Sequence, residues 1–182
     1  MPEMIYRFIE QNVRPGPHIS LKCSARGSPP PQVIFMIYDL ENDFLFIYLF
    51  ILNLKFTWHL DSQPILDVSS LHRYAIGQFV DISGDVISHL NISNVRTDDG
   101  GLYECIASNS IGTSSHTERL NIYGPPYVRA ISPIKAIASE DLKVFCPFSG
   151  YPIETIRWER AGIEITSSEF ERFSLKIDLF HT

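Results

Sequence analysis

The sequence predicts an all-β protein, a two-layer β-sandwich that is completed once and then begun a second time without its closing half. Three observations lead there. Short segments alternate apolar and polar residues at period two between turns rich in Gly, Pro, Asn, Asp and Ser, and no stretch carries the helical period. One fragment recurs, because Cys23, Gly27 and Pro29 stand at the spacing of Cys146, Gly150 and Pro152, each set followed by a lone tryptophan, Trp58 or Trp158. Only the first set is then followed by Asp99, Gly101, Tyr103 and Cys105. The repeat implies two structural units, 1–124 and 125–182, the second truncated.

The elements follow in order. An extended lead-in near Tyr6 to Glu10 reaches the turn Pro15-Gly16-Pro17, after which Ile19, Leu21, Cys23 and Ala25 alternate with Ser20, Lys22 and Ser24. That is the period of a sheet with one wet face. A strand carrying Trp58 precedes a turn at Asp61 to Gln63, and strands over Phe79 to Ile82 and Val86 to Ile92 flank the turn Ser83-Gly84-Asp85. The next strand runs from Leu102 to about Ser108 with Tyr103, Cys105 and Ala107 inward, and Asn109 to Gly112 turns it into a last strand with Leu120 and Ile122 inward. Gly124-Pro125-Pro126 closes the unit as a stiff link. In the second unit Leu142, Val144 and Cys146 are expected inward on one strand, with Ile156 and Trp158 on the next. After Ile165 the pattern stops, so this half-sandwich should expose apolar faces and open edges and yield to limited proteolysis beyond Pro126.

Composition narrows the function classes. Apolar residues make up 45% of the 182 and charged residues 20%, enough to bury a core. A formal net charge of -6 without any Lys/Arg run argues against a nucleic-acid partner. The six histidines have no metal-ligand spacing, and Asp81, Asp85, Asp98 and Asp99 lie in turns without the dense oxygen ligands of a calcium loop. No Gly-rich phosphate loop and no Ser/His/Asp or Cys/His arrangement suggests catalysis, so neither cofactor, metal nor small-molecule substrate is expected. Asn91-Ile92-Ser93 is a glycosylation acceptor, and alternation turns Asn91 outward between Leu90 and Ile92.

One block breaks the spacing. Trp158 stands twelve positions after Cys146, whereas Trp58 stands thirty-five after Cys23, an excess of twenty-three. Removing Ile34 to Phe56 restores the pattern, since Gln32-Val33 then joins Thr57-Trp58. The block lacks Gly, Ala, Pro, Ser, Thr, Val and Arg and consists mostly of residues with AT-rich codons, as translated intron would. The tail after about Ser168 reads as a second such case. A membrane span is the competing reading, but Phe44 to Leu52 gives only nine uninterrupted apolar residues, against about 20 needed.

The order Cys23…Trp58…Asp99-x-Gly101-x-Tyr103-x-Cys105 resembles the signature of an immunoglobulin domain, here of the I-set type. The resemblance implies a Cys23–Cys105 disulfide through the core, Trp58 packed on it, Tyr103 tying a corner, and Arg73 paired with Asp99 at the base of the sandwich. Trp158 becomes the core tryptophan of the second unit, and Cys146 is left unpaired because its partner would lie beyond Thr182. A disulfide places the chain in an oxidising, extracellular setting. Buried free thiols, as in intracellular muscle arrays, are the alternative.

Longer stretches, GQFVDISGDVISHLNIS, DDGGLYECIASNSIG, RLNIYGPPYVRAI and CPFSGYPIETIRWER, closely resemble consecutive immunoglobulin domains of the Down syndrome cell adhesion molecule (Dscam) family, in particular an arthropod member. The resemblance covers most of 6–33 and 57–167 and fails over 34–56 and at the end. It implies a single-pass neuronal receptor at the cell membrane that binds identical copies on opposing cells and acts in axon guidance, synapse formation and dendrite self-avoidance. These two units are expected as spacers between recognition domains. The chain is then a fragment: MPEMIYRFIE lacks the apolar run of a signal peptide, and the membrane is reached only through a transmembrane segment outside it. The competing readings are a structural domain of an intracellular titin- or twitchin-type array and the ectodomain of a receptor kinase.

Overall fold

A computed structural model describes residues 1–27, 32–40, 43–51, 54–66, 73–131 and 133–165, with the backbone alone over 32–40 and 43–51. The first strands are β1 (Glu3–Tyr6), β2 (Gln11–Val13), β3 (Gly16–Arg26), β4 (Gln32–Leu40), β5 (Asp43–Ile51), β6 (Lys55–Leu60) and β7 (Gln63–Pro64). Then come β8 (Tyr74–Val80), β9 (Val86–Val95), a 3-10 turn at Thr97–Asp99, β10 (Gly101–Asn109) and β11 (Gly112–Ile122). Last are β12 (Gly124–Val128), β13 (Phe148–Tyr151), β14 (Glu159–Arg160) and β15 (Ile163–Glu164).

Two sheets face each other. One has the order β1-β3-β9-β8, the other β2-β11-β10-β6-β7. Neighbours are antiparallel except β2 and β11, which run parallel. This is the all-β, two-layer arrangement of an immunoglobulin sandwich. Alternation decides which side chains meet in the middle. Leu21, Cys23 and Ala25 on β3 and Val86, Ser88, Leu90 and Ile92 on β9 oppose Phe56 and Trp58 on β6 and Tyr103, Cys105 and Ala107 on β10, all buried. A one-residue slip of any of these strands would turn that set out into water, so the pattern pins the register.

The lead-in differs from the single extended segment expected near Tyr6 to Glu10. It is split, with β1 joining the first sheet and β2 the second, and Phe8 crosses between them with 3% exposure. The strand expected at Phe79 to Ile82 starts earlier, at Tyr74, and leaves Phe79 exposed on an edge strand, where it stacks on His89.

The excursion between β3 and β6 contains a separate two-stranded hairpin, β4 with β5, in register from Gln32↔Ile51 to Leu40↔Asp43. The block delimited by spacing, 34–56, overlaps the sandwich at its end: Leu54 and Phe56 are core residues, and Phe56 lies opposite Ala107. The chain has therefore re-entered the core by residue 54. A chain deleted of 34–56 puts Val33 two places before Trp58, in the seat of Phe56, and should still fold and form the Cys23–Cys105 bond. Peptide mapping of the deleted chain checks this, and a free thiol pair there would show that the block is integral. The tail after Ser168 lies outside the described residues.

Residues Met1–Tyr151 form one compact unit and Pro152–Thr182 a second. Within the first, β12 and β13 pair with each other, both pack on the 3-10 turn, and β13 also packs on β11. No strand forms over Leu142, Val144 and Cys146, contrary to the alternation; Leu142 and Val144 are 52% and 40% exposed. Among the described residues no second sheet faces them, and alternation buries a strand only against a partner layer. In the second unit β14 and β15 make a small hairpin closed by Ala161 and Gly162 at positive φ, with the Ile165 N–H donating to Trp158 O over 2.7 Å. Trp158 is half-buried, with no sheet facing it among the described residues. Among the described residues no helix is long and apolar enough to cross a membrane.

Candidate functional site

The centre of the sandwich is a clamp. Cys23 on β3 and Cys105 on β10 are joined, 6.7 Å apart at Cα, and so tie one sheet to the other. Trp58 lies directly beside Cys105 in the β6–β10 register and is fully buried, so the indole fills the space next to the sulfurs. Its ring nitrogen donates to Ser88 Oγ over 2.9 Å, and Ser88 Oγ donates on to Gly77 O. A buried indole N–H without such an acceptor would cost about 1–3 kcal/mol. Phe8 closes the other side, 5.7 Å from Trp58 between ring centres.

The second feature is the corner at the 3-10 turn. The Tyr103 hydroxyl donates to Asp99 O over 2.6 Å in a buried setting, holding β10 against the turn that precedes it. The Asp99 carboxylate accepts four bonds of 2.7 Å: two from Arg73, one from the Tyr74 hydroxyl and one from the Arg96 N–H. Gly101, two residues on, has φ 151°, and a Cβ there would sit 2.7 Å from Leu60 Cδ1 and 2.8 Å from Asp61 Oδ2. The glycine of the Asp-x-Gly-x-Tyr pattern is thus required by space as well as by conformation.

Burial pushes the Asp99 carboxyl up, but the donors from Arg73, Arg96 and Tyr74 outweigh it and hold the group below its ordinary value. For a carboxyl depressed in the fold, the stabilisation is present above the unfolded value of about 4 and is lost as pH falls through the lower folded value. Thermal midpoints measured between about pH 7 and pH 2 should therefore fall on the acid side, and less steeply in Asp99→Asn. An unchanged acid limb in that variant would assign the loss to other carboxyls. Tyr103 is pushed well above the ordinary phenol range by burial and stays a neutral donor.

A third cluster lies where the chain leaves β11. The Arg129 guanidinium donates to Asp61 Oδ2, Asp98 O and Gly100 O, and the Arg129 N–H bonds Pro147 O over 2.8 Å. Arg119 stacks over Phe148 at 3.8 Å, bonds Phe148 O over 3.0 Å, and holds Asn121 Oδ1 over 3.0 Å. Asn121 in turn donates to Glu10 Oε1 and Asn12 Oδ1. Burial raises the Asp61 carboxyl, and the Leu102 N–H and Arg129 oppose it. Gly124 is at φ 151° with no room for a Cβ, which would lie 2.4 Å from Thr97 Oγ1. Beside this joint an apolar hollow of about 600 Å3 is lined by residues including Ile65, Leu66, Ile131, Ile134 and Phe145.

The structure therefore brings Cys23, Cys105, Trp58, Arg73, Asp99 and Tyr103 together, the last four by packing or hydrogen bonds at the centre and base of one sandwich. Asn91 is exposed on β9, Cys146 is half-buried with its thiol pushed up by burial, and Trp158 belongs to the second unit. Arg129, Asp61, Arg119 and Asn121 were not legible from spacing. Alternation points Arg119 and Asn121 away from Leu120 and Ile122, yet both are 7% exposed because β13 and the lead-in cover them. Among the described residues no three of His, Cys, Asp or Glu converge as a metal site.

The sheet order and corner fit the immunoglobulin I-set domain family, which matches residues 53–122. The cell adhesion molecule Dscam2 of Drosophila melanogaster is 45% identical over 164 residues, covering 90% of this chain and 7% of that protein. The chain belongs to the Dscam family. Dscam1 of Drosophila melanogaster, also a cell adhesion molecule, is 38% identical over 159 residues, 87% of this chain and 7% of that protein. The crystal structure of the N-terminal eight Ig domains of Down syndrome cell adhesion molecule isoform 1.30.30 superposes with a TM-score of 0.71 at 37% identity, covering 91% of this chain and 18% of that one. The Dscam-family chain thus spans about 7% of the length of the two Drosophila relatives. The I-set match begins at residue 53, just where the Dscam-family chain re-enters its core before β6.

Proposed function

We propose that this chain is an extracellular stretch of a neuronal adhesion receptor, composed of tandem modules 1–124 and 125–182 that space the recognition domains of a receptor binding identical copies on opposing cells. The observation that carries the reading is the likeness to Dscam2 over nine-tenths of the chain at 45% identity, in a fold whose two sheets are joined by a disulfide. An oxidised core bond supports the outer side of the cell membrane over a reduced muscle array. Contact rather than chemistry is supported by where the polar groups go: those of the clamp, the corner and the joint are engaged with each other. Axon guidance, synapse formation and dendrite self-avoidance are the settings in which such a receptor acts.

The test is a bead-aggregation assay with the complete receptor ectodomain. Replacing residues 1–165 by the aligned stretch of Dscam2 should leave self-recognition intact, as expected for spacers. Loss or redirection of self-recognition would place partner contacts in these modules and overturn the spacer role.

A further inference from the structure

The outer face of the β1-β3-β9-β8 sheet holds a site with the geometry for covalent modification. Asn91 is exposed at the middle of β9, opposite Ser20 on β3 and Ala75 on β8, so both flanking strands present small side chains beside it. The next outward row is Lys22, His89 and Gly77, with glycine again on the edge strand. Among the described residues the Asn91 carboxamide has no hydrogen-bond partner, whereas Asn121, the other strand asparagine between two inward residues, is 7% exposed and bonded to Glu10 and Asn12. Ser93, which completes the acceptor triplet, is exposed on the same side of β9 and pairs opposite His18.

We propose that Asn91 carries an N-linked glycan that covers the outer face of the β1-β3-β9-β8 sheet around it. The reaction is transfer of an oligosaccharide from a lipid diphosphate donor. Asn91 Nδ2 forms a bond to the anomeric carbon of the first N-acetylglucosamine, the carbon–oxygen bond to the diphosphate breaks, the lipid diphosphate leaves, and the amide loses one proton. Asn91-Ile92-Ser93 satisfies the acceptor rule. The row Ser20–Asn91–Ala75 sets a small side chain on either side of the acceptor. A bulky hydrophilic group at the centre of the row excludes a close-packed interface there.

The inference rests on the extracellular reading, and the experiment separates the two. The full chain is secreted from insect cells behind a heterologous leader, and intact mass and peptide mapping are recorded before and after peptide N-glycosidase. A glycan on Asn91, recovered as Asp after the enzyme, is expected, with complete loss in Asn91→Gln and Ser93→Ala and retention in Ser93→Thr. Secreted protein with the Cys23–Cys105 bond formed and Asn91 unmodified overturns the glycan while leaving the extracellular reading in place. A reduced core pair in that secreted protein would count against the extracellular reading itself. Biotin-label footprinting of Lys22 and Lys55 tests the covering: Lys22, two positions along β3 from Ser20, should gain reactivity at least twofold on deglycosylation, while Lys55 on the other sheet should not. Equal responses would overturn the covering of this face.

Discussion

Removing the Cys23–Cys105 bond lowers the unfolding free energy of the sandwich by roughly 4.5 kcal/mol, because it ties positions 82 residues apart and so restricts the unfolded chain. Whole domains have only about 5–15 kcal/mol to lose, so the reduced protein sits at or near the limit of stability. Urea titration of the intact protein and of Cys23→Ala/Cys105→Ala measures the effect. A large leftward shift of the midpoint is expected, with a somewhat greater slope as the unlinked chain exposes more surface. Coincident midpoints would mean that the two sheets are held by packing alone. That outcome would also weaken the argument from the disulfide to an extracellular site.

Trp58→Ala is expected to cost about 4 kcal/mol, in the upper range for a buried aromatic. The indole is fully buried, lies against the disulfide-bearing strand and Phe8, and anchors Ser88, so its removal leaves a cavity that rigid sheets on both sides cannot close. Trp58→Phe separates the contributions: it keeps most of the packing and forfeits the hydrogen bond, for about 1 kcal/mol plus a smaller void. Because Trp58 and Cys105 are neighbours across β6 and β10, the two losses should couple by roughly 0.5–3 kcal/mol in a double-mutant cycle. Strict additivity would show that the indole and the sulfur bridge act on separate parts of the core.

What could be read from the sequence is what period two controls. Leu90, Ile92, Tyr103, Cys105, Ala107, Leu120 and Ile122 are inward as their alternation requires, because a strand has only two faces and one was plainly apolar. The same rule misled at Leu142 and Val144, since it states which residues share a face and not whether anything covers it. The split of the lead-in was beyond reach: β1 and β2 are four and three residues long, too short for alternation to reveal that the chain changes sheets at Phe8. The joint was hidden for another reason. Arg129 and Asp61 are 68 positions apart in two loops, and no periodic signal links such a pair. The boundary of the excursion was legible to within a few residues only, because Phe56 and Val33 are both apolar and either can stand two places before Trp58.

The Arg129 clasp changes how a load would pass along the chain. A hinge of free prolines would let a tug on the far side be absorbed by bending, but a guanidinium gripping Asp61, Asp98 O and Gly100 O fastens the departing strand to the foot of the sandwich at three points. Tension and torque arriving through β12 and β13 are therefore delivered into the corner that Tyr103 and Asp99 brace, and from there into the covalent tie between the sheets.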